Sequence, residues 1–493
     1  MTEAPVTTPG GLLLVAALIL PVIALLLAFA LGGRRAANLA PAAFGLGLML
    51  AVAICVELMG SGAAISYRLG GWAPPLGIAL RADGLSAALL LTSAIVLLAT
   101  SIFVRPDFAA GTESRSELMF WCLLLGLWSA MCCTLLSNDL FNLFVGLELM
   151  TFAAVPLACL AGSRETLEAA LRYLLFALLG SVLYLLGVAL FYGSYGTLDL
   201  VQLSRIARAD GATILAAAVM TAGLIAKAAL FPLHLWLPPA HAGAPAPASA
   251  VLSALVVKAA FFLLLRLWLG VMPAAASGLA MQLLAALGAA AILIGSLVAL
   301  RQARLKLLIA YSTVAQIGYL FLMFPLSVAG PEAAAAWLGG ILQAVSHAFA
   351  KASMFLGAGL AAKALGHDRI DGLGGLARAM PMTVIAFGLA GLSLMGVPPS
   401  GGFTAKWLLI QASLEAGQWW WGVVMLCGGL LTGGYVFRVL AASIQGDGAA
   451  RVSLPASFNF QERVVLGLAL LSAVMGLVPL GSFSVAQIGR IGG

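Results

Sequence analysis

Residues 224–266 read LIAKAALFPLHLWLPPAHAGAPAPASAVLSALVVKAAFFLLLR. Lys227 and Lys258 each stand inside an apolar run long enough to lie in a bilayer, and a proline-rich connection holding His234 and His241 separates them. An ionised lysine at bilayer depth costs roughly 3 kcal/mol by insertion scales and more by simulation. Such a lysine either snorkels to an interface, pairs structurally, or carries protons; intramembrane ionisable residues mark ion paths by default, and that is the reading the pair supports. The stretch predicts membrane helices with a charged interior.

Composition agrees. Of 493 residues, 63% are hydrophobic and 9% charged, with a mean hydropathy of +1.10. A soluble protein carries about 25% charged residues, so the chain is expected to be an all-α polytopic membrane protein lying in a lipid bilayer. The net charge of +7 is spread along the chain, which excludes a nucleic-acid surface. Cys55, Cys122, Cys132, Cys133, Cys159 and Cys427 lie in apolar runs without C-x-x-C spacing, arguing against an iron–sulfur or zinc site. His234 and His241, seven apart in a loop, are weak as a zinc pair. No glycine-rich nucleotide loop, nucleophile–base spacing or soluble domain is visible, so no metal, cofactor or catalytic site is expected in this chain. The N-terminal decapeptide has Glu3 and no Lys or Arg, and predicts a retained first helix rather than a signal peptide.

Apolar periodicity predicts 14 spans, near 11–31, 38–60, 84–104, 118–136, 138–160, 168–192, 212–232, 243–269, 278–300, 306–325, 334–362, 382–412, 418–440 and 464–484. With both termini outside, the inner connections hold fifteen Lys and Arg and the outer connections and ends six, Arg266 among them, as the positive-inside bias requires. The other four basic residues, Lys227, Lys258, Lys351 and Lys406, are expected to be the only ones deep in spans, and Glu148 the only mid-span acid. Glu57 and Asp139 read as ordinary interfacial residues.

Two spans are expected to break. One does so at Phe231-Pro232 and the other at Gly396-Val397-Pro398-Pro399-Ser400-Gly401-Gly402, because proline removes a donor and clashes one turn back. Each break lies close to a lysine, Lys227 or Lys406, and discontinuous helices in two halves of a transporter point to its ion path. His347 and Lys351 are four apart on one helix face, the spacing of a proton relay. Lys306 is either a positive-inside anchor or the inner entrance to the relay.

Five stretches carry a family resemblance: FNLFVGLELM, KAALFPLHLWLPPAHAGAPAPASAVLSALVVK, RLKLLIAYSTVAQIGY, SHAFAKASMFLGAG and GVPPSGGFTAKWLLIQ. Together they resemble the antiporter-like subunits shared by respiratory complex I, Mrp-type cation/proton antiporters and membrane-bound hydrogenases, over residues 118 to about 440. The resemblance implies 14 transmembrane helices within one membrane domain, with broken helices 7 and 12. It implies inverted five-helix repeats, helices 4–8 over 118–269 and helices 9–13 over 278–440. It further implies that Glu148 and Lys227 form a buried pair, that Lys258 is the central lysine, that His347 and Lys351 continue the axis, and that Lys406 is its terminal exit. Gln316 stands where many complex I relatives have histidine, which leaves water or Lys306 to bridge that point.

The chain stops soon after the last span, and its helix-12 residue is Lys406. These features look most like the D-type subunit of an Mrp-type Na+/H+ antiporter, with the M- or N-type subunits of NADH:quinone oxidoreductase or a membrane-bound hydrogenase subunit as the alternative. Either is a proton-translocating subunit in the cell's inner (plasma) membrane, packed among other membrane subunits of a hetero-oligomeric complex. Its transported ions are expected to be protons, with Na+ a second candidate. A stand-alone solute transporter would need a cluster of polar or aromatic substrate-binding residues beyond the lysine axis, and a membrane enzyme would need a catalytic constellation.

Overall fold

The computed structural model describes residues 7–109, 115–272, 276, 278–328, 330, 332–446 and 456–491. Among the described residues, twelve helices are long and apolar enough to cross a membrane: Gly11–Leu31, Gly33–Ser61, Gly84–Phe108, Arg115–Leu136, Leu140–Ala158, Arg164–Tyr195, Ala246–Val271, Gly278–Leu300, Leu305–Leu326, Ala333–Leu365, Trp419–Ile444 and Ser457–Leu477. Two further crossings are broken. Span 7 runs Gly211–Lys227 and then Leu237–Gly243; span 12 runs Pro381–Met395 and then Gly401–Glu415. The architecture is therefore a fourteen-span helical membrane fold with helices 7 and 12 broken.

One boundary departs from the periodicity, and one basic residue is placed differently. The last span begins near 457 rather than 464, which draws Glu462 into the helix. Its carboxylate accepts from the Thr383 N–H and hydroxyl, both at 2.9 Å, capping the first turn of span 12. An acid at a helix N-terminus meets both the unpaired N–H groups and the dipole. Arg266, counted with the outer connections although the expected span 243–269 already contains it, lies inside span 8, Ala246–Val271, and is buried. The signal was present in the sequence, since Leu-Trp-Leu-Gly follows Arg266 and keeps the run apolar. Asp139 behaves as an interfacial residue, its side chain accepting from the Phe141 and Asn142 N–H groups to cap span 5. Alternation too short to register as a span hides a small hairpin between spans 2 and 3, Ile65–Arg68 paired antiparallel with Ala79–Ala82.

The hairpin marks one membrane face. Thr8 donates to the Ser66 carbonyl at 2.9 Å, and the Gly84 N–H donates to the Ile488 carbonyl at 2.9 Å, so both ends of the described chain sit there. The opposite face is tied by Arg304–Asp368 at 3.0 Å and Lys363–Asp107 at 2.6 Å. Burial decides which helices hold the interior. Span 8 is wholly buried and spans 10 and 11 largely so, whereas spans 1, 2 and 14 show most of their residues outward. In lipid, helices gain little from burying leucine and associate by close packing of small residues. Gly180 of span 6 and Gly223 of span 7 cross so closely that a Cβ on Gly180 would meet the Gly223 carbonyl at 2.7 Å; Gly288 and Gly318 do the same between spans 9 and 10, at 2.6 Å.

Candidate functional site

The two breaks free backbone carbonyls inside the protein, where each must find a donor. At span 7 the helix ends on Lys227 itself, Ala229 turns to a φ of 53°, and the Trp236 indole N–H donates back to the Ala226 carbonyl at 2.9 Å. Trp236 is held by stacking on Tyr173, ring centroids 4.1 Å apart and 6° from parallel. At span 12 Gly396 closes the first half-helix in the left-handed region, φ 85°, and Ser400 caps the second by accepting from the Phe403 N–H. The freed Leu394 carbonyl accepts from the Lys406 ammonium and from Gln316 Nε2, the latter at 3.0 Å. Each break thus sits beside a lysine, and at span 12 the lysine is one of the two donors that satisfy it.

Glu148 and Lys227 meet as an ion pair, Nζ to Oε1 3.3 Å. The ammonium also donates to Thr151 Oγ1 at 3.1 Å, and the Ser181 hydroxyl donates to the Glu148 carboxylate. A cavity of about 20 Å3 joins Lys227 to Val256 and Ala260, which flank Lys258 on span 8. That is enough for one water.

Lys258 has no carboxylate partner among the described residues. Its ammonium donates to the Ser253 carbonyl at 2.8 Å, within a π turn over Leu252–Val256. Such turns interrupt the regular ladder and recur at functional sites. Ser253 and Thr313 share a hydroxyl hydrogen bond of 2.9 Å, and Thr313 donates to the Ile309 carbonyl at 3.0 Å. The same carbonyl accepts from Lys351 at 3.1 Å, and Lys351 also donates to the Ser312 hydroxyl. Spans 8, 10 and 11 are therefore joined by hydroxyls and one shared carbonyl between two buried ammonium groups.

His347 lies next to Lys351 on its helix, but the two are not hydrogen-bonded: Lys351 turns to span 10, and both ring nitrogens of His347 are buried without a protein partner. The i, i+4 spacing put them on one face; packing against span 10 decided where the ammonium points. Lys258, Lys351 and Lys406 all lie within electrostatic reach of that ring. An orphaned imidazole among cations is where ordered water is expected.

Gln316 is fully buried. It donates to the Leu394 carbonyl that Lys406 shares, and its own Oε1 accepts from Gln343 Nε2 at 3.0 Å. Lys406 stands 3.9 Å over the Tyr319 ring. It also borders an apolar groove of about 760 Å3 beside Trp407, Leu430 and Phe437. Lys306 is partly exposed at the opposite face and donates to the Ala244 carbonyl at 2.6 Å, at the end of the second half of span 7. It therefore tethers span 10 to the broken helix.

The lysines were legible in the sequence; apart from Glu148 beside Lys227, their partners were not. Ser253, Thr313, Ser312 and Gln343 are polar residues in apolar helices, which is common in sequence, and only packing selects them. The structure also adds a buried charged pair, Arg266 with Asp83, away from the lysine axis.

The family model described as NADH:quinone oxidoreductase/Mrp antiporter, transmembrane, matches residues 137–432, well over half of the chain. The N-type subunit of NADH-quinone oxidoreductase from Desulforudis audaxviator is 34% identical over 91% of this chain and 92% of its own. The D-type subunit of the Na(+)/H(+) antiporter from Alkalihalophilus pseudofirmus is 27% identical over 81% of this chain and 80% of its own. Among solved structures, a chain of the membrane-bound sulfane sulfur reductase, an archaeal respiratory membrane complex, superposes with a TM-score of 0.86 at 28% identity, covering 96% of both chains.

Proposed function

Because this chain belongs to the NADH:quinone oxidoreductase/Mrp antiporter family and is an antiporter-like subunit of an Mrp- or complex I-type membrane complex, we propose that it moves protons along Glu148, Lys227, Lys258, His347, Lys351 and Lys406. One observation carries the reading. Four lysines are buried in the membrane interior, and only Lys227 is paired with a carboxylate among the described residues. A structural ammonium would be expected to have a counter-charge, because an isolated buried charge is costly. Lys258, Lys351 and Lys406 instead rest on carbonyls and hydroxyls, groups that hold an amine in either protonation state.

The residues work as follows. With the Glu148–Lys227 pair closed, the carboxylate keeps a proton on Lys227. When the pair opens, Lys227 gives up that proton through the water-sized cavity toward Lys258. Lys258 hands it to Lys351 across the Ser253–Thr313 bridge or through water at His347. Gln316 and the Leu394 carbonyl align the last step to Lys406, and Lys306 serves the opposite face at the tether to span 7. The ranges 118–269 and 278–440 act as two repeats, each contributing one broken helix. Both termini lie outside the inner (plasma) membrane, so a thiol probe at Gly366 is reached only from the cytoplasm and one at Ala209 only from outside.

The D-type reading makes the exchange Na+ against H+; the M/N-type reading makes it proton pumping driven by electron transfer elsewhere in the complex. The 34% identity to the N-type relative, against 27% to the D-type one, favours keeping the second reading beside the first. Ion transport by the intact complex, with and without a Na+ gradient, separates them.

The test is Lys258→Ala and Lys258→Arg in that complex. Alanine removes the charge at no burial cost, so the complex assembles but transport falls sharply. Arginine keeps the charge and the bond to Ser253 yet cannot release its proton, so transport fails or nearly fails. Wild-type transport by Lys258→Arg at matched expression refutes a relay role.

A further inference from the structure

One buried charge pair lies off the lysine axis. Arg266 is 5% exposed and Asp83 1%. The guanidinium grips the carboxylate with both terminal nitrogens, Nη2 to Oδ1 at 2.7 Å and Nη1 on Oδ2, and Nη2 also donates to Ser86 Oγ at 2.9 Å. The Ser86 N–H donates to Asp83 Oδ1 at 3.0 Å and its hydroxyl to the Leu135 carbonyl at 2.7 Å. Apolar packing often stabilises a fold as well as a buried ion pair does, so stability alone does not account for it.

Its position does. Arg266 follows Lys258 by eight residues on span 8, about 12 Å toward the hairpin face. Between them stand Asp83, just before span 3, and Ser86 and Ser93 of span 3, at i, i+3 and i+10, which keep to one helix face, and all three are buried. Ser93 and Thr92 border a cavity of about 10 Å3 that Lys258 also lines, with Leu89 and Leu135; one water needs about 10–15 Å3. On the far side of the pair, Arg81 is partly exposed and holds the Gly489 carbonyl at 2.7 Å. Arg266 Nε, Arg81 Nε and Asn138 Oδ1 are buried and lack a protein partner, which is what a wetted mouth presents.

We propose that Lys258 has a branch to the hairpin face along the polar face of span 3, through Ser93 and Ser86, and that the Arg266–Asp83 pair is the gate that closes it. The inference rests on the reading of Lys258 as a proton carrier. With the gate open, the Lys258 ammonium gives its proton to water beside Ser93 and is left a neutral amine; Asp83 takes a proton as its carboxylate becomes an acid, then releases it past Arg81. When Arg266 regains the carboxylate, the branch shuts.

The test uses the assembled complex in vesicles. A small thiol reagent is added at the hairpin face, and labelling of Ser93→Cys is read from the mass of its peptide, so native cysteines do not interfere. With the pair intact, position 93 is protected. In Asp83→Asn, labelling accelerates at least about tenfold, since breaking a buried pair removes several kcal/mol of closure; the proton leak is read in Arg266→Lys, which keeps the Asp83 carboxylate that takes the proton. Should Asp83→Asn fail to assemble, Arg266→Lys keeps the buried charge but loses the two-pronged grip, and the same labelling and leak are expected. Protection without leak in an assembled variant overturns the gate. Lys258→Ala runs alongside. If it transports like wild type, the proton-carrier reading falls; if it is inactive while the opened pair neither leaks nor labels, only the gate falls.

Discussion

Glu148→Gln is the sharpest perturbation of the proposed axis. The carboxylate stands 3.3 Å from the Lys227 ammonium, and at an effective dielectric of about 20 that separation is worth about 5 kcal/mol of attraction. Glutamine keeps the shape and can still accept from Ser181, so packing changes little. The attraction vanishes, and Thr151 at 3.1 Å becomes the remaining polar contact of the ammonium. A buried cation stripped of its counter-charge is no longer held as an ion, so Lys227 has no stored proton to pass toward Lys258. Proton transport by the intact complex, measured as quenching of a pH-sensitive dye in vesicles, should fall to about a tenth or less, since 1.4 kcal/mol of lost driving energy already costs about tenfold. Assembly, judged by comigration of all subunits on a native gel, should be unchanged. Glu148→Asp retains the charge with one methylene less reach and should keep partial activity. Wild-type rates in Glu148→Gln at normal assembly would refute the role given to the pair.

Three further outcomes are expected. Gln316→His keeps a donor toward the Leu394 carbonyl and should transport within about twofold of wild type, whereas Gln316→Leu leaves the Gln343 amide without its acceptor, about 1–3 kcal/mol for an unsatisfied group, and should slow transport about tenfold in the same dye assay. Gly402→Ala would press its Cβ into the Ser393 backbone carbonyl at the span 12 break; overpacking of about 1–3 kcal/mol should lower the melting temperature of the detergent-solubilised complex, and an unchanged melting curve would show that the break relaxes freely. Burial opposes the charge on Asp83, but Arg266, supported by Arg81, overrides it and holds that carboxyl below its usual value of 3.8. A depressed carboxylate contributes stability above its unfolded value and loses it only as pH falls through the lower folded one. Protection of Ser93→Cys should therefore be the same at pH 7 and pH 5, and early loss near pH 6 would contradict the tie.

The sequence by itself determined the membrane class, the number of crossings and the two breaks. Helix crossings in lipid require about 20 apolar residues apiece, and proline forbids a continuous helix at 232 and at 398–399; both constraints act on local sequence. The same local logic located Lys227, Lys258, Lys351 and Lys406, because a charge inside a long apolar run is conspicuous wherever it later packs. It misplaced Arg266 and Glu462, whose charges lie close enough to span ends to pass for surface residues, although the bundle around them buries both. What only the tertiary structure decided is which neutral groups the lysines touch. The carbonyl of Ile309 between Lys258 and Lys351, the carbonyl of Leu394 between Gln316 and Lys406, and the turn of Lys351 away from His347 all depend on contacts between helices far apart in the chain. Hydrogen bonds in a membrane interior go to whatever donor the packing brings within reach, and no periodicity within one helix specifies its neighbour's backbone.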